Sequence, residues 1–242
     1  MKIDIKGPII SDSDQWIYDY FEIPATSPSL VSKLMNKAEK NEELEIIINS
    51  GGGAVHAGSE IYTALKDYDG DVIVKIVGIA ASAASVIAMS GRKVMMSPTA
   101  GIMIHNSSIS TGGNHSELEH NAEVLKTIDA GIANAYEIKT GMSHDELLAL
   151  MEVETWFDAK KAVDYKFADE IMFTETKIVA SAQTLGDGTL PQAVIDKIRN
   201  ELKDKKGIEN STNIPLENLK AEEKIVNKEL ILAKLKLKLK LK

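Results

Sequence analysis

Residues 72–91 constrain this chain more than any other stretch. The first six, Val72-Ile73-Val74-Lys75-Ile76-Val77, are mostly β-branched and lie between Gly70-Asp71 and Gly78, which predicts a buried strand. Residues 78–91, GIAASAASVIAMSG, are small and then apolar at helical spacing, so Ala81, Ser85, Ala88 and Met89 can share one face. The chain is therefore expected to turn from strand to helix behind Gly78, with Ser82 close to the helix N-terminus. Unpaired backbone N–H groups and the positive end of the helix dipole face any charge that develops there. Ser82 is a candidate nucleophile, with small neighbours that let a substrate backbone approach. An isolated Ala-Ala-Ser is read first as a tight helix–strand contact or a cap, so the case rests on what flanks it.

The flanking chain alternates strands and helices. Residues 2–9 read as an opening strand, residues 29–40 as an amphipathic helix begun by Ser27-Pro28, and residues 44–48 as a second buried strand. Residues 16–24 are ambiguous. The second strand runs into Asn49-Ser50-Gly51-Gly52-Gly53, where three glycines permit positive φ and close backbone approach. A helix over residues 55–68 follows, then the segment described above, then short strands at residues 93–96 and 100–105. Residues 107–114, SSISTGGN, form a polar excursion before a long helix over residues 117–140 that Gly141 ends. A short helix over residues 145–151, capped by Ser143, an extended stretch at 154–157 and a helix over 159–165 complete the pattern. Repeated strand–helix units predict an α/β protein with mostly parallel crossovers.

Composition bounds the function classes. With 242 residues and 44% apolar content the chain can bury one large core. It has no cysteine, so disulfides and thiolate chemistry are excluded. No stretch reaches the roughly 18 apolar residues of a membrane span, and the opening residues lack the apolar core of a signal peptide, so a soluble, cytoplasmic protein is expected. Residues 220–242 hold eight lysines against three glutamates; the remainder carries 20 basic and 33 acidic residues, a formal charge of −13. An acidic body argues against nucleic acid as the main partner. The boundary falls near residue 172, with a domain over 1–172 and an extension over 173–242 containing a charged helix at 191–205, a linker at 207–215 and a Lys-Leu terminus. That terminus reads first as a solubilising tail.

Three features recur at strand ends: Gly51-Gly52-Gly53, Ser82, and His105 after the apolar Ile102-Met103-Ile104. Sites in open α/β sheets form at that edge. A serine hydrolase needs a hydroxyl, an imidazole to take its proton, an acceptor to orient the imidazole and two N–H donors for the oxyanion. A lone His after apolar residues is more often structural, and becomes a base only if it faces Ser82. His56, His115, His120 and His144 show no metal-ligand spacing, and no metal is expected.

Residues 3–171 resemble the ClpP-type serine protease family, most closely the ClpP-like head maturation proteases of tailed phages and prophages. The residues 48–53, INSGGG, are similar to the family's INSPGG loop, with Gly51 where proline is common; residues 78–82, GIAAS, match its GxAAS motif, and residues 103–105, MIH, its MIH motif. Glu154-Thr155-Trp156-Phe157-Asp158-Ala159 and the residues to Asp169 resemble the region that closes the family domain. The resemblance implies a ClpP/crotonase-type fold of repeated β-β-α units, with a protruding handle (strand plus long helix) and a C-terminal extension. It implies Ser82 as nucleophile, His105 as general base, and backbone N–H groups of Gly53 and Ala83 as the oxyanion hole. The family usually has Asp at the position of Glu154, which is the expected third member; Asp158 is the alternative, and a Ser–His dyad stays open. It further implies protein or peptide substrates, no cofactor, and a homo-oligomer of stacked rings.

Because the first strand begins at Lys2, without the segment that serves a Clp ATPase, the expected role is cleavage of capsid or scaffold proteins in a phage prohead. The alternatives are a subunit working with a Clp-type ATPase, a Ser–Lys signal-peptide-peptidase-like enzyme, a crotonase-fold acyl-CoA enzyme and an inactive structural relative.

Overall fold

The computed structural model describes residues 1–174; the expectations for the rest of the extension, its helix and its Lys-Leu terminus, lie outside them. Residues Met1–Glu175 form one compact unit. Its sheet runs in the order β1 (Lys2–Lys6), β2 (Leu44–Ser50), β3 (Val72–Ala81), β4 (Lys93–Met96) and β7 (Glu170–Ile171), every neighbouring pair parallel. Two further strands, β5 (Gly101–Ile104) and β6 (Thr155–Asp158), attach to the far end of β3: β5 parallel to it, β6 antiparallel to β5. The architecture is the α/β fold of parallel strands and covering helices that the sequence predicts.

Among the described residues, seven α-helices connect the strands: α1 (Gln15–Tyr20), α2 (Pro28–Met35), α3 (Val55–Lys66), α4 (Ala83–Ala88), α5 (His115–Thr140), α6 (His144–Glu152) and α7 (Ala159–Asp164). Their ends follow from local chemistry. Ser27 caps α2 ahead of Pro28, and Asn114 and Ser143 each form a reciprocal capping box, with Glu117 and Glu146. Gly141, at φ 72°, closes α5 in the left-handed conformation. The core joins Ile3, Ile5, Ile46, Ile48, Val74 and Ile76 of the strands to Ile61 and Leu65 of α3, and all six residues of α4 are buried. Each fully buried aliphatic side chain of this size stabilises the fold by about 1.5–3 kcal/mol.

Three expectations need correction, and one open stretch is resolved. The strand opening the chain ends at Lys6, because Gly7 turns at φ 69° with Pro24 packed where a Cβ would stand. The ambiguous stretch contains a helix, α1, whose Trp16 and Tyr20 are exposed. The expected handle strand is missing between β5 and α5: residues 107–114 are irregular and have no neighbouring strand to pair with among the described residues.

The third correction shapes the site. Gly78 does not end the strand; β3 continues to Ala81. The β2–β3 register passes from Ile48 opposite Ile76 to Ser50 opposite Ala80, so β3 accommodates two extra residues as a bulge. Asn49 fills it, its Oδ1 accepting the Ile79 N–H at 3.2 Å and lying 2.3 Å from where a Cβ on residue 78 would be. Glycine is required there to admit the side chain. Past the bulge β3 leaves β4, whose last partner is Ile76, and pairs with β5 through Ala81 opposite Met103.

Candidate active site

Ser82 follows the last paired residue of β3 and precedes the first turn of α4. Its N–H donates to the carbonyl of Met103 at 3.0 Å, which ties the residue to β5. Its backbone is strained, at φ 53° and ψ −127°, a region that non-glycine residues rarely occupy. The strain has a local cause. Parallel pairing carries the strand up to Ala81, the buried helix starts at Ala83, and one residue must absorb the reversal.

His105 follows β5 directly. Because Ala81 pairs with Met103, the ends of β3 and β5 bring the two side chains together, and Nε2 of His105 lies 2.8 Å from Oγ of Ser82. An unprotonated Nε2 accepts the hydroxyl proton at this distance, which is the geometry of a general base poised on a nucleophile.

The glycine loop closes the other side. A Cβ on Gly52 would lie 2.7 Å from Cβ of Ser82 and 3.0 Å from the Ala83 nitrogen, so only glycine lets the loop approach so closely. Gly52 donates its N–H to Oγ of Ser50 at 3.1 Å and accepts from the Ile9 N–H at 2.8 Å. The Ile9 carbonyl takes the Ala54 N–H, and Gly53, at φ 149°, packs on Ile9. The N–H groups of Gly53 and Ala83 make no hydrogen bond among the described residues, which leaves both available as donors.

The carboxylates are separated by strand register. The antiparallel β5–β6 ladder ends with Ile104 opposite Thr155; His105 follows the one strand, and Glu154 precedes the other in the turn after α6. Asp158 lies opposite Gly101, four residues down the ladder and about 13 Å along it. Its Oδ1 caps α7 by accepting the Lys161 N–H at 2.8 Å. Glu154 sits at φ 48°, and its Oε1 accepts the indole N–H of Trp156 at 3.1 Å. Neither carboxylate bonds to His105 among the described residues.

Sequence reasoning missed the roles of four supporting residues. Oγ of Ser85 donates to the carbonyl of Ser82 at 2.6 Å and accepts from the Tyr136 hydroxyl at 2.7 Å, tying the reversal to α5. Asp129, buried on α5, accepts the Ser107 N–H at 2.6 Å, two residues past His105. The close approach of Gly52 to Ser82 was hidden inside a run of three equivalent glycines. Apart from the Ser85–Ser82 bond, each of these contacts spans 20 or more residues of sequence, so no local signal marks it.

The family model for Clp protease matches residues 24–175, more than half of the chain. The chain belongs to the Clp protease family. It is similar to an ATP-dependent Clp protease proteolytic subunit of Deinococcus radiodurans (34% identical, covering 60% of this chain and 72% of that protein). Subunit 1 of Chlamydia muridarum is 31% identical over 64% of this chain and 85% of its own length, and subunit 2 of Tropheryma whipplei 27% over 57% and 78%.

Clp family membership makes serine peptidase the class of activity. A cleft of about 380 Å³ between α3 and α5 is lined by Val55, His56, Tyr62, Val86, Ile128 and Ile132. Val86 is one turn past Ser82, and Val55 begins the helix behind the glycine loop. Among the described residues no group of three or more His, Asp or Glu could hold a metal ion, and no helix is long and apolar enough to cross a membrane.

Proposed function

We propose that this chain is a serine endopeptidase in which Ser82 attacks the scissile carbonyl carbon and His105 takes the hydroxyl proton. The approach of Ser82 Oγ to His105 Nε2, 2.8 Å between two different strands, carries the reading. The N–H groups of Gly53 and Ala83 would receive the oxyanion as the carbonyl π bond opens. His105 then delivers its proton to the leaving amine, the acyl–Ser82 ester forms, and water activated by the same imidazole hydrolyses it. Glu154 is the third member in this reading, supported by its sequence position next to Thr155, the strand partner of the residue before His105. The apolar cleft lined by Val55 and Val86 suits an apolar substrate side chain. The chemistry calls for no metal or organic cofactor.

The subunits are expected to act as a homo-oligomer that encloses the site in a chamber, with the polar segment before α5 and the exposed start of that helix as the stacking element. For the physiological substrate, the family resemblance of the sequence supports capsid or scaffold protein in a phage prohead within the host cytoplasm. The names of the curated relatives favour a second reading, a proteolytic subunit paired with an ATPase.

Fluorophosphonate labelling of the purified full chain, with mass mapping of the adduct, tests the catalytic reading. A single adduct on Ser82, absent in Ser82→Ala and lost in His105→Ala, is the expected result. A folded, oligomeric protein that takes no label would overturn it and favour a crotonase-like or inactive relative. Cleavage of capsid protein without nucleotide, against ATP-dependent degradation with a Clp-type ATPase, separates the two physiological readings.

A further inference from the structure

We infer that Trp156 is a positioning residue for the proposed triad: its indole N–H holds one carboxylate oxygen of Glu154 so that the other is presented to His105. The inference rests on the assignment of Glu154 as third member and adds a residue to it.

Three observations converge. Side chains alternate across a strand, so Met103 of β5 and its partner Trp156 of β6 share one face of the ladder, and His105 and Glu154 each lie one residue beyond its last pair, Ile104 opposite Thr155. The opposite face is core, where Ile102, Ile104 and Phe157 are buried. Oε1 of Glu154 is engaged by Trp156 at 3.1 Å, while Oε2 of Glu154 and Nδ1 of His105 make no hydrogen bond among the described residues. They are the two free groups just beyond that last pair.

Trp156 is 52% exposed, so core packing does not explain its size. Glu154, at φ 48°, is the left-handed residue that closes α6 just past its C-cap Val153, its N–H donating to the Met151 carbonyl at 3.2 Å, so the turn delivers it to the start of β6. Glutamate also has one more rotatable bond than aspartate, and an ordered side chain of this length costs conformational entropy. The indole donor offsets that cost by fixing the carboxylate in advance.

The test uses the full chain and a fluorophosphonate probe, with labelling rate of Ser82 measured from pH 5 to 9. Trp156→Phe keeps the ring and removes the donor. The rate is expected to fall about three- to tenfold. Its apparent pKa should move part of the way toward that of Glu154→Ala, because a carboxylate held less firmly stabilises imidazolium less. In a Glu154→Ala background the Trp156→Phe change is expected to be silent.

A rate for Trp156→Phe equal to that of the unmodified chain, or an effect fully additive with Glu154→Ala, overturns the inference and leaves the triad intact. Faster labelling of Trp156→Phe also overturns it, since the indole would then be withdrawing Glu154 from His105. Unchanged labelling of Glu154→Ala removes the triad assignment itself. Trp156→Tyr, which cannot place its hydroxyl where the indole N–H lies, guards against a Phe-specific folding defect and is expected to behave like Trp156→Phe.

Discussion

The Tyr136 hydroxyl stands 2.7 Å from Oγ of Ser85, and the pair anchors the carbonyl of Ser82 to the long helix α5. Tyr136 is fully buried, so its hydroxyl has no solvent to fall back on. Ser85→Ala leaves it without a partner and is expected to cost about 1–3 kcal/mol, measured as a lower denaturation midpoint. Burial pushes the Tyr136 pKa above its ordinary value of 10.0, with the Ser85 hydrogen bond opposing the shift. Below that ordinary value both folded and unfolded states hold the proton, so the contribution to stability is fully present. Above it the unfolded chain ionises first, and stability falls as pH rises. Tyr136→Phe is expected to flatten this alkaline loss in denaturation curves taken from pH 8 upward.

Gly52→Ala tests the contact between the glycine loop and the nucleophile. The new methyl group would meet Cβ of Ser82 at 2.7 Å and the Ala81 carbonyl oxygen at 2.6 Å, on a backbone whose φ of 92° already disfavours a side chain. Either the loop or the Ser82 reversal must move. Displacement of about 1 Å at a catalytic centre costs roughly a hundredfold in rate. Labelling of Ser82 is expected to fall by that order, with the far-ultraviolet circular dichroism retained.

Ser82→Gly addresses the strain directly. Glycine occupies the Ser82 conformation freely, whereas a side chain at φ 53° costs on the order of 1–3 kcal/mol. Part of the relief is offset by the greater freedom of glycine in the unfolded chain. The net expectation is a gain of about 1 kcal/mol in stability together with complete loss of labelling, measured by denaturant titration beside the probe assay. A destabilised Ser82→Gly protein would show that the serine side chain supports the fold.

The sequence by itself determined the succession of elements, because each is written in local periodicity and local caps. The alternation of apolar runs and helical spacing, Ser143 ahead of a helix and Gly141 behind one are all short-range signals, and the described structure has each of them. The order of the INSGGG, GIAAS and MIH motifs likewise pointed to the Clp family, to which the chain belongs. What the tertiary structure decided is everything set by pairing between distant segments.

Gly78 looked like a strand end because the Asn49 side chain that fills the bulge comes from a neighbouring strand. That bulge moves β3 from β4 to β5 and so brings Ser82 to His105, a relation that no spacing contains. That Asp158 lies opposite Gly101, at the far end of the ladder from Ile104 and Thr155, follows from antiparallel register, in which a shift of one residue changes every partner. Residue types and local order are properties of a line of text; which side chains share a rung is a property of hydrogen-bonded strands, and only the folded sheet sets it.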